Sequence, residues 1–305
     1  MFKFSDYLRI CREEKHLTQG ELVTQLITLD KTFNSLDTTT LSRWERGVSK
    51  PSLSKQTLII LFFSRYFKRI YPFIEQAEQI DIEQSFCALG FSKLLGRHKL
   101  IMNFPTHHMD KKQFKIELYQ NSTVQQSALK RNEFILKEMY DRPIDEALQK
   151  SFALNQANHF SICEYQNEYY GHFFAIKLTP EAFDQVINFE LNLDQLNDKH
   201  FSAIDEIGCY FFFGFFGMSD LVISMIWVNF YSWVIKQQSQ IKEMGAIIST
   251  KEGEMIAKNM NTELYNSVEI SGRTFQSFCA TTEDMLITEN VVKMLFNPES
   301  CPDDN

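Results

Sequence analysis

The stretch from Ile207 to Ile235 constrains the fold more than any other part of the chain. It is 29 residues long, rich in Phe, Trp, Ile and Val, and carries a single charge at Asp220. Such a run either crosses a bilayer, which takes about 20 apolar residues, or lies in a packed interior. Asp220 near its middle would cost about 2.5–3.5 kcal/mol at the centre of a membrane helix, and Gly214, Gly217 and Asn229 interrupt the apolar face. The run therefore reads as two elements: a buried strand over Tyr210–Phe216, a turn, and a helix from Asp220 to Lys236 that Asp220 starts. No membrane partner is expected.

At the other end of the chain, two short segments predict successive helices. Thr18 and Glu21 in Leu17-Thr18-Gln19-Gly20-Glu21-Leu22 form a capping box, and Leu22, Leu26 and Ile27 follow at helical spacing. Asp37 caps a second helix that runs through Thr38-Thr39-Thr40-Leu41-Ser42-Arg43-Trp44-Glu45-Arg46 and stops at Gly47. Leu41 and Trp44 face inward on it; Thr38, Thr39, Ser42 and Arg43 face out. Charge is distributed to match, with 12 Lys and Arg against 7 Asp and Glu up to Pro72, and 19 against 32 in the remainder. A basic head on an acidic body suits phosphate contact by the head alone.

From Phe4 to Phe63 these residues resemble the helix-turn-helix domain of phage repressors and Cro proteins, the xenobiotic-response-element type. The resemblance implies that Thr38, Thr39 and Arg43 read bases, Arg43 through guanine O6 and N7. It implies backbone contacts from Gln19, Thr40, Arg46 and Lys50, and a structural ion pair between Arg12 and Glu45. The connection before Asp37 is about eight residues longer than the family's, so either the first helix of the pair is extended or a loop with Lys31, Phe33 and Asn34 projects.

The 305 residues suit about two domains, and 44% hydrophobic content is ample for their cores. Boundaries are expected at 1–72 for the helix-turn-helix domain, 73–110 for a helical connector and linker, and 111–305 for a mixed α/β domain. His98–Asp110 is the linker, with solvated His107 and His108. Six scattered cysteines, none in C-x-x-C spacing, signal neither metal nor disulfides and suit a reducing cytoplasm. With the first helix expected to begin at once, no signal peptide is expected.

Beyond the linker, strands are expected at Phe114–Tyr119, His159–Tyr165, Tyr169–Leu178, Gly245–Ser249, Val268–Ile270 and Thr274–Cys279. Helices are expected at Gln126–Tyr140, Asp145–Phe152 and Thr250–Met260. That order resembles the GCN5-related N-acetyltransferases, whose strand-to-helix turn carries Gln or Arg-x-x-Gly-x-Gly or Ala and holds the diphosphate of coenzyme A. Gly214-Phe215-Phe216-Gly217-Met218-Ser219 keeps only Gly217, offers no cation, and sets Asp220 beside the anion. Phe213, Phe215, Phe216, Gly217 and Trp227 are expected to line an apolar pocket.

The fold expectation is thus an all-helical head followed by a mixed α/β, acetyltransferase-like domain. The functional expectation is a cytoplasmic, repressor-like transcription regulator, binding double-stranded DNA as a homodimer. Its body is expected to have no catalytic residues, metal or cofactor and to dimerise or sense a small apolar effector, an acyl-CoA or fatty acyl molecule. The rival expectations are an acyltransferase carrying a DNA-targeting head, and an antitoxin-like regulator that binds a protein partner.

Overall fold

A computed structural model describes residues 2–87, 109–140 and 144–296. Most of the expected linker, with His107 and His108, lies outside the described residues. The chain forms two compact units.

The first unit gathers the described residues up to 87 with 232–239 and 286–296. It contains α1 (Phe4–Glu14), α2 (Gln19–Leu29), α3 (Thr38–Glu45), α4 (Leu53–Phe67) and α5 (Gln79–Cys87). The capping box of Thr18 and Glu21 starts α2, and the Asp37 carboxylate accepts the Thr40 N–H to start α3. Helix α2 reaches Leu29, and the connection after it is a 3-10 turn, Lys31–Phe33. Phe33 does not project as one reading of the sequence held; it is fully buried, and Leu36 is buried after it. An apolar ring in water is the less stable arrangement, so the extra length folds back as an anchor.

Burial of Ile59, Ile60 and Phe63 fixes α4, and Tyr7 packs edge-on against Phe63. The unit is completed by α12 (Glu289–Phe296), unanticipated in the sequence, whose Phe296 sits 5.5 Å from Phe4 and 5.3 Å from Tyr7 between ring centroids. Tyr71 donates its hydroxyl proton to the Leu286 carbonyl at 2.8 Å, and the Gln238 Oε1 accepts both the Ile70 and Tyr71 N–H groups.

The second unit is a seven-stranded sheet in the order β1-β2-β3-β4-β5-β7-β6. The strands are β1 (Phe114–Leu118), β2 (His159–Tyr165), β3 (Glu168–Leu178), β4 (Gly208–Gly217), β5 (Ile241–Ile248), β6 (Glu263–Ile270) and β7 (Arg273–Thr281). All neighbours are antiparallel except β4 and β5, which run parallel and need a crossover. Gln166 and Asn167, both at positive φ, close the tight β2–β3 hairpin. The crossover is α9 (Asp220–Gln237), so the long apolar run does divide into strand and helix. Ser219, rather than Asp220, caps α9, its Oγ accepting the Val222 N–H. Among the described residues no helix is long and apolar enough to cross a membrane.

One face of the sheet buries Phe160, Phe174, Ile176, Cys209 and Phe211 against α6 (Gln125–Tyr140), α7 (Glu146–Leu154) and α8 (Pro180–Ile187). The last of these, with Thr179 as its cap and Pro180 in its first turn, was not anticipated. Toward α9, Phe173 lies 4.8 Å from Phe230 and 6.1 Å from Trp227 between centroids. Helix α10 (Lys251–Asn259), capped by Thr250, and α11 (Thr282–Leu286) complete the unit.

Candidate functional site

The parallel pair is where the sheet opens. Strand β4 pairs with β5 from Gly208↔Ile241 to Phe212↔Ala246, and the ladder goes no further although β4 continues to Gly217 and β5 to Ile248. The cause lies on the other edge of β4. Ala175 faces Phe212 while Phe174 faces Gly214, so Phe213 is an extra residue, a β-bulge. A bulge bends its strand and increases the local twist. Beyond Phe213, β4 leaves β5, and β5 stays with β7 through Ile247↔Ser277 and Ile248↔Gln276.

The gap is an apolar cavity of about 400 Å³. Phe213, Phe215, Phe216, Gly217 and Trp227, singled out in the sequence, all line it, joined by residues of β5, by Ile256 of α10 and by Met260 just after that helix. Gly217 brings strand and helix together: a Cβ there would stand 2.5 Å from the Ile223 side chain. Of the lining residues Glu252 is the one carboxylate, exposed at the start of α10. Trp227 is 4% exposed and its indole N–H has no acceptor among the described residues. A buried unsatisfied donor costs about 1–3 kcal/mol, which a ligand oxygen in the gap would offset.

A polar chain that sequence reasoning missed runs to the same gap. The Gln149 Nε2 donates to the Ile144 carbonyl at 2.7 Å, which leaves Gln149 Oε1 to accept from Asn132 Nδ2 at 2.9 Å. Asn132 Oδ1 must then accept from His172 Nε2 at 3.1 Å, and His172 Nδ1 accepts from the Tyr169 hydroxyl at 2.6 Å. Each group therefore has one role, fixed by a carbonyl that can only accept. Burial, then the nearby Arg131 charge, lowers His172 to about 3, keeping the imidazole neutral; burial raises the Tyr169 hydroxyl well above its usual range. Asn132 lines the cavity, and Gly214 makes room for it, since a Cβ at Gly214 would lie 2.6 Å from Oδ1. Tyr169 and Arg131 belong with Lys130, Glu168 and Met218 to a shallower pocket at the end of β4. No local pattern marks a chain whose members stand 3, 40 and 17 positions apart.

In the helical unit the predicted residues fall into two groups. Thr38, Thr39, Arg43, Arg46 and Lys50 are exposed and Thr40 half-exposed, on or just after α3. Arg12 and Glu45 form the expected pair, Nε to Oε1 at 2.5 Å and Nη2 to Oε2 at 3.1 Å, which holds the guanidinium above its ordinary range. Gln19 is drawn into that pair, its Nε2 donating to Glu45 Oε2 at 2.8 Å. Among the described residues no His, Cys, Asp and Glu cluster could hold a metal.

No protein-family model matches the chain, and no curated protein is similar to it in sequence. Solved structures do align. Arabidopsis thaliana NAA60 in complex with a bisubstrate analogue aligns at 11% identity, covering 55% of this chain and 97% of that one, with a TM-score of 0.38. The same protein in complex with acetyl-CoA aligns at 8% identity over 55% and 99%, TM-score 0.39. The CoA-dependent acyl-homoserine lactone synthase MesI aligns at 12% identity over 63% and 100%, TM-score 0.36.

The expected fold class, a helical N-terminal region followed by a mixed α/β domain, is the fold observed. The expected function is corrected. The reading as a repressor-like, DNA-binding transcription regulator with a non-enzymatic body is not supported: the structures that align are NAA60 and an acyl-homoserine lactone synthase.

Proposed function

We propose that the α/β unit is an acyltransferase that takes its acyl group from a coenzyme A thioester. The observation that carries this reading is the parting of β4 and β5 after the Phe213 bulge. The edge of β4 beyond Phe212 keeps backbone groups without a strand partner, and an extended chain bearing amides can add there as a strand does. The pantetheine arm of coenzyme A is such a chain, and the apolar walls of the gap suit its methylenes. The Trp227 N–H would find its acceptor in a carbonyl of the bound arm.

The fit is poorer at the diphosphate. Ser219 already occupies the Val222 N–H, and Asp220 places a carboxylate in the first turn of α9. Lys130 and Arg131, which with Met218 line the pocket at the end of β4, would supply the positive charge that the turn lacks. In the transfer a nucleophilic acceptor, an amine or a hydroxyl, attacks the thioester carbonyl and forms the new acyl bond. The C–S bond breaks, the thiolate leaves, and the proton lost by the acceptor passes through Glu252 to solvent or thiolate. Asn132, held by Gln149 and His172, keeps a fixed polar group beside the reacting carbonyl. A cytoplasmic location, where acyl-CoA is made and used, belongs with this proposal.

Titration calorimetry of the full chain with acetyl-CoA and octanoyl-CoA tests it. At least one thioester should bind saturably, and Ile256→Trp, which fills the gap from the half-buried face of α10, should weaken binding tenfold or more without lowering Tm. If neither thioester nor free coenzyme A binds, the reading is wrong.

A further inference from the structure

A second cavity, of about 600 Å³, lies against the face of the sheet that α6 and α8 cover. It meets the gap at the parting of the strands, for Leu136, Phe212, Phe213 and Ile247 line both. Twelve of its fourteen lining residues are apolar; the exceptions, Asn192 and Asp194, sit together on the segment after α8. A cationic acceptor seated there would need a buried carboxylate to pair with, and Asp194 is exposed. A hydrocarbon chain needs none. An acetyl group at the parting would leave these walls facing water.

The segment after α8 gives an independent sign. Asn188 ends the helix, and the next residue, Phe189, stands at φ 64° with its N–H bonded to the Val186 carbonyl, while the Glu190 N–H bonds to the Gln185 carbonyl. This is a position that glycine ordinarily fills, and a bulky residue in it is strained. Phe189 lines the second cavity. Strain retained at a cavity wall points to a use for the ring beyond folding.

We infer that the second cavity receives the hydrocarbon tail of the acyl donor, so that the enzyme is built for medium- or long-chain acyl groups rather than acetyl. This rests on the acyltransferase reading of the gap. The thioester carbonyl then sits at the parting, with the pantetheine arm on one side of it and the tail running between Phe189 and Ile270 on the other.

The test is the affinity of the full chain for acetyl-, octanoyl- and palmitoyl-CoA, with free coenzyme A as reference. Octanoyl-CoA should bind at least tenfold more tightly than acetyl-CoA. Ile270→Trp, which narrows the cavity from the half-exposed end of β6, should remove that advantage and leave acetyl-CoA affinity within twofold. Phe189→Gly separates use from folding: it should keep or raise Tm, because glycine accepts the left-handed backbone, while lowering the octanoyl preference threefold or more. Equal affinity for all three thioesters overturns the inference and leaves the acyltransferase reading standing. So does binding of octylamine in the cavity with no dependence on donor length, which would assign the space to the acceptor. Failure of free coenzyme A and of every thioester to bind removes both.

Discussion

At the scale of single residues, the interior of the α/β unit holds two imidazoles that burial keeps neutral, His159 and His172, each lowered to about 3. In the unfolded chain both take up protons near pH 6.5. The unfolded state therefore binds more protons than the folded state between pH 6.5 and 3, and stability is full above that window and falls as pH drops into it. Between pH 7 and 5 each histidine should cost about 2 kcal/mol. Urea unfolding at the two pH values measures the loss, and His159→Leu should reduce it by about half. An unchanged midpoint in the wild-type chain would contradict the neutral assignment. The sequence does not announce either imidazole as buried, because a lone His in a strand reads as surface or core alike. The Arg12–Glu45 pair is different: it was expected from the resemblance of its flanking residues, and its capture of Gln19 was not.

At the scale of elements, the chain's punctuation is local and readable. Gly217 ends β4 and Ser219 caps α9, which divides the apolar run; Asp145 starts α7, Thr250 starts α10, and two residues of positive φ close the β2–β3 hairpin. The bulge at Phe213 is not readable, because it is a mismatch of register between β3 and β4, strands about 40 positions apart; Gly214 beside it weakens the strand locally but does not tell which residue is left unpaired. Deleting Phe213 puts Gly214 into register with the ladder before it and should let β4 and β5 pair further, closing the gap. The expected result is a folded chain, by circular dichroism and a single unfolding transition, that binds coenzyme A thioesters at least tenfold more weakly. A folded deletion variant with full affinity would disconnect the bulge from the site.

At the scale of the whole molecule, the helical unit is not a contiguous stretch. It takes α12 from the far end of the chain, burying Val291, Val292, Met294, Leu295 and Phe296. At about 1.5–3 kcal/mol for each large apolar side chain, these residues contribute about 8–15 kcal/mol, as much as a typical domain's net stability. Ending the chain at Thr288 should therefore unfold the helical unit, read as lost helical ellipticity and exposed Tyr71 fluorescence; retention of a cooperative helical transition would count against it. Sequence alone determined the local elements and the aromatic lining of the gap, because capping, turn chemistry and apolar periodicity act within a few residues. It also pointed to the wrong activity, since the features of the N-terminal helices are stronger signals than a degenerate turn at Gly214–Ser219. Only the tertiary structure decided where β4 leaves β5, that Tyr169, His172, Asn132 and Gln149 join in one chain, and that a second cavity opens behind the parting. Each of those depends on the pairing and packing of residues remote in sequence, and short-range periodicity carries no record of them.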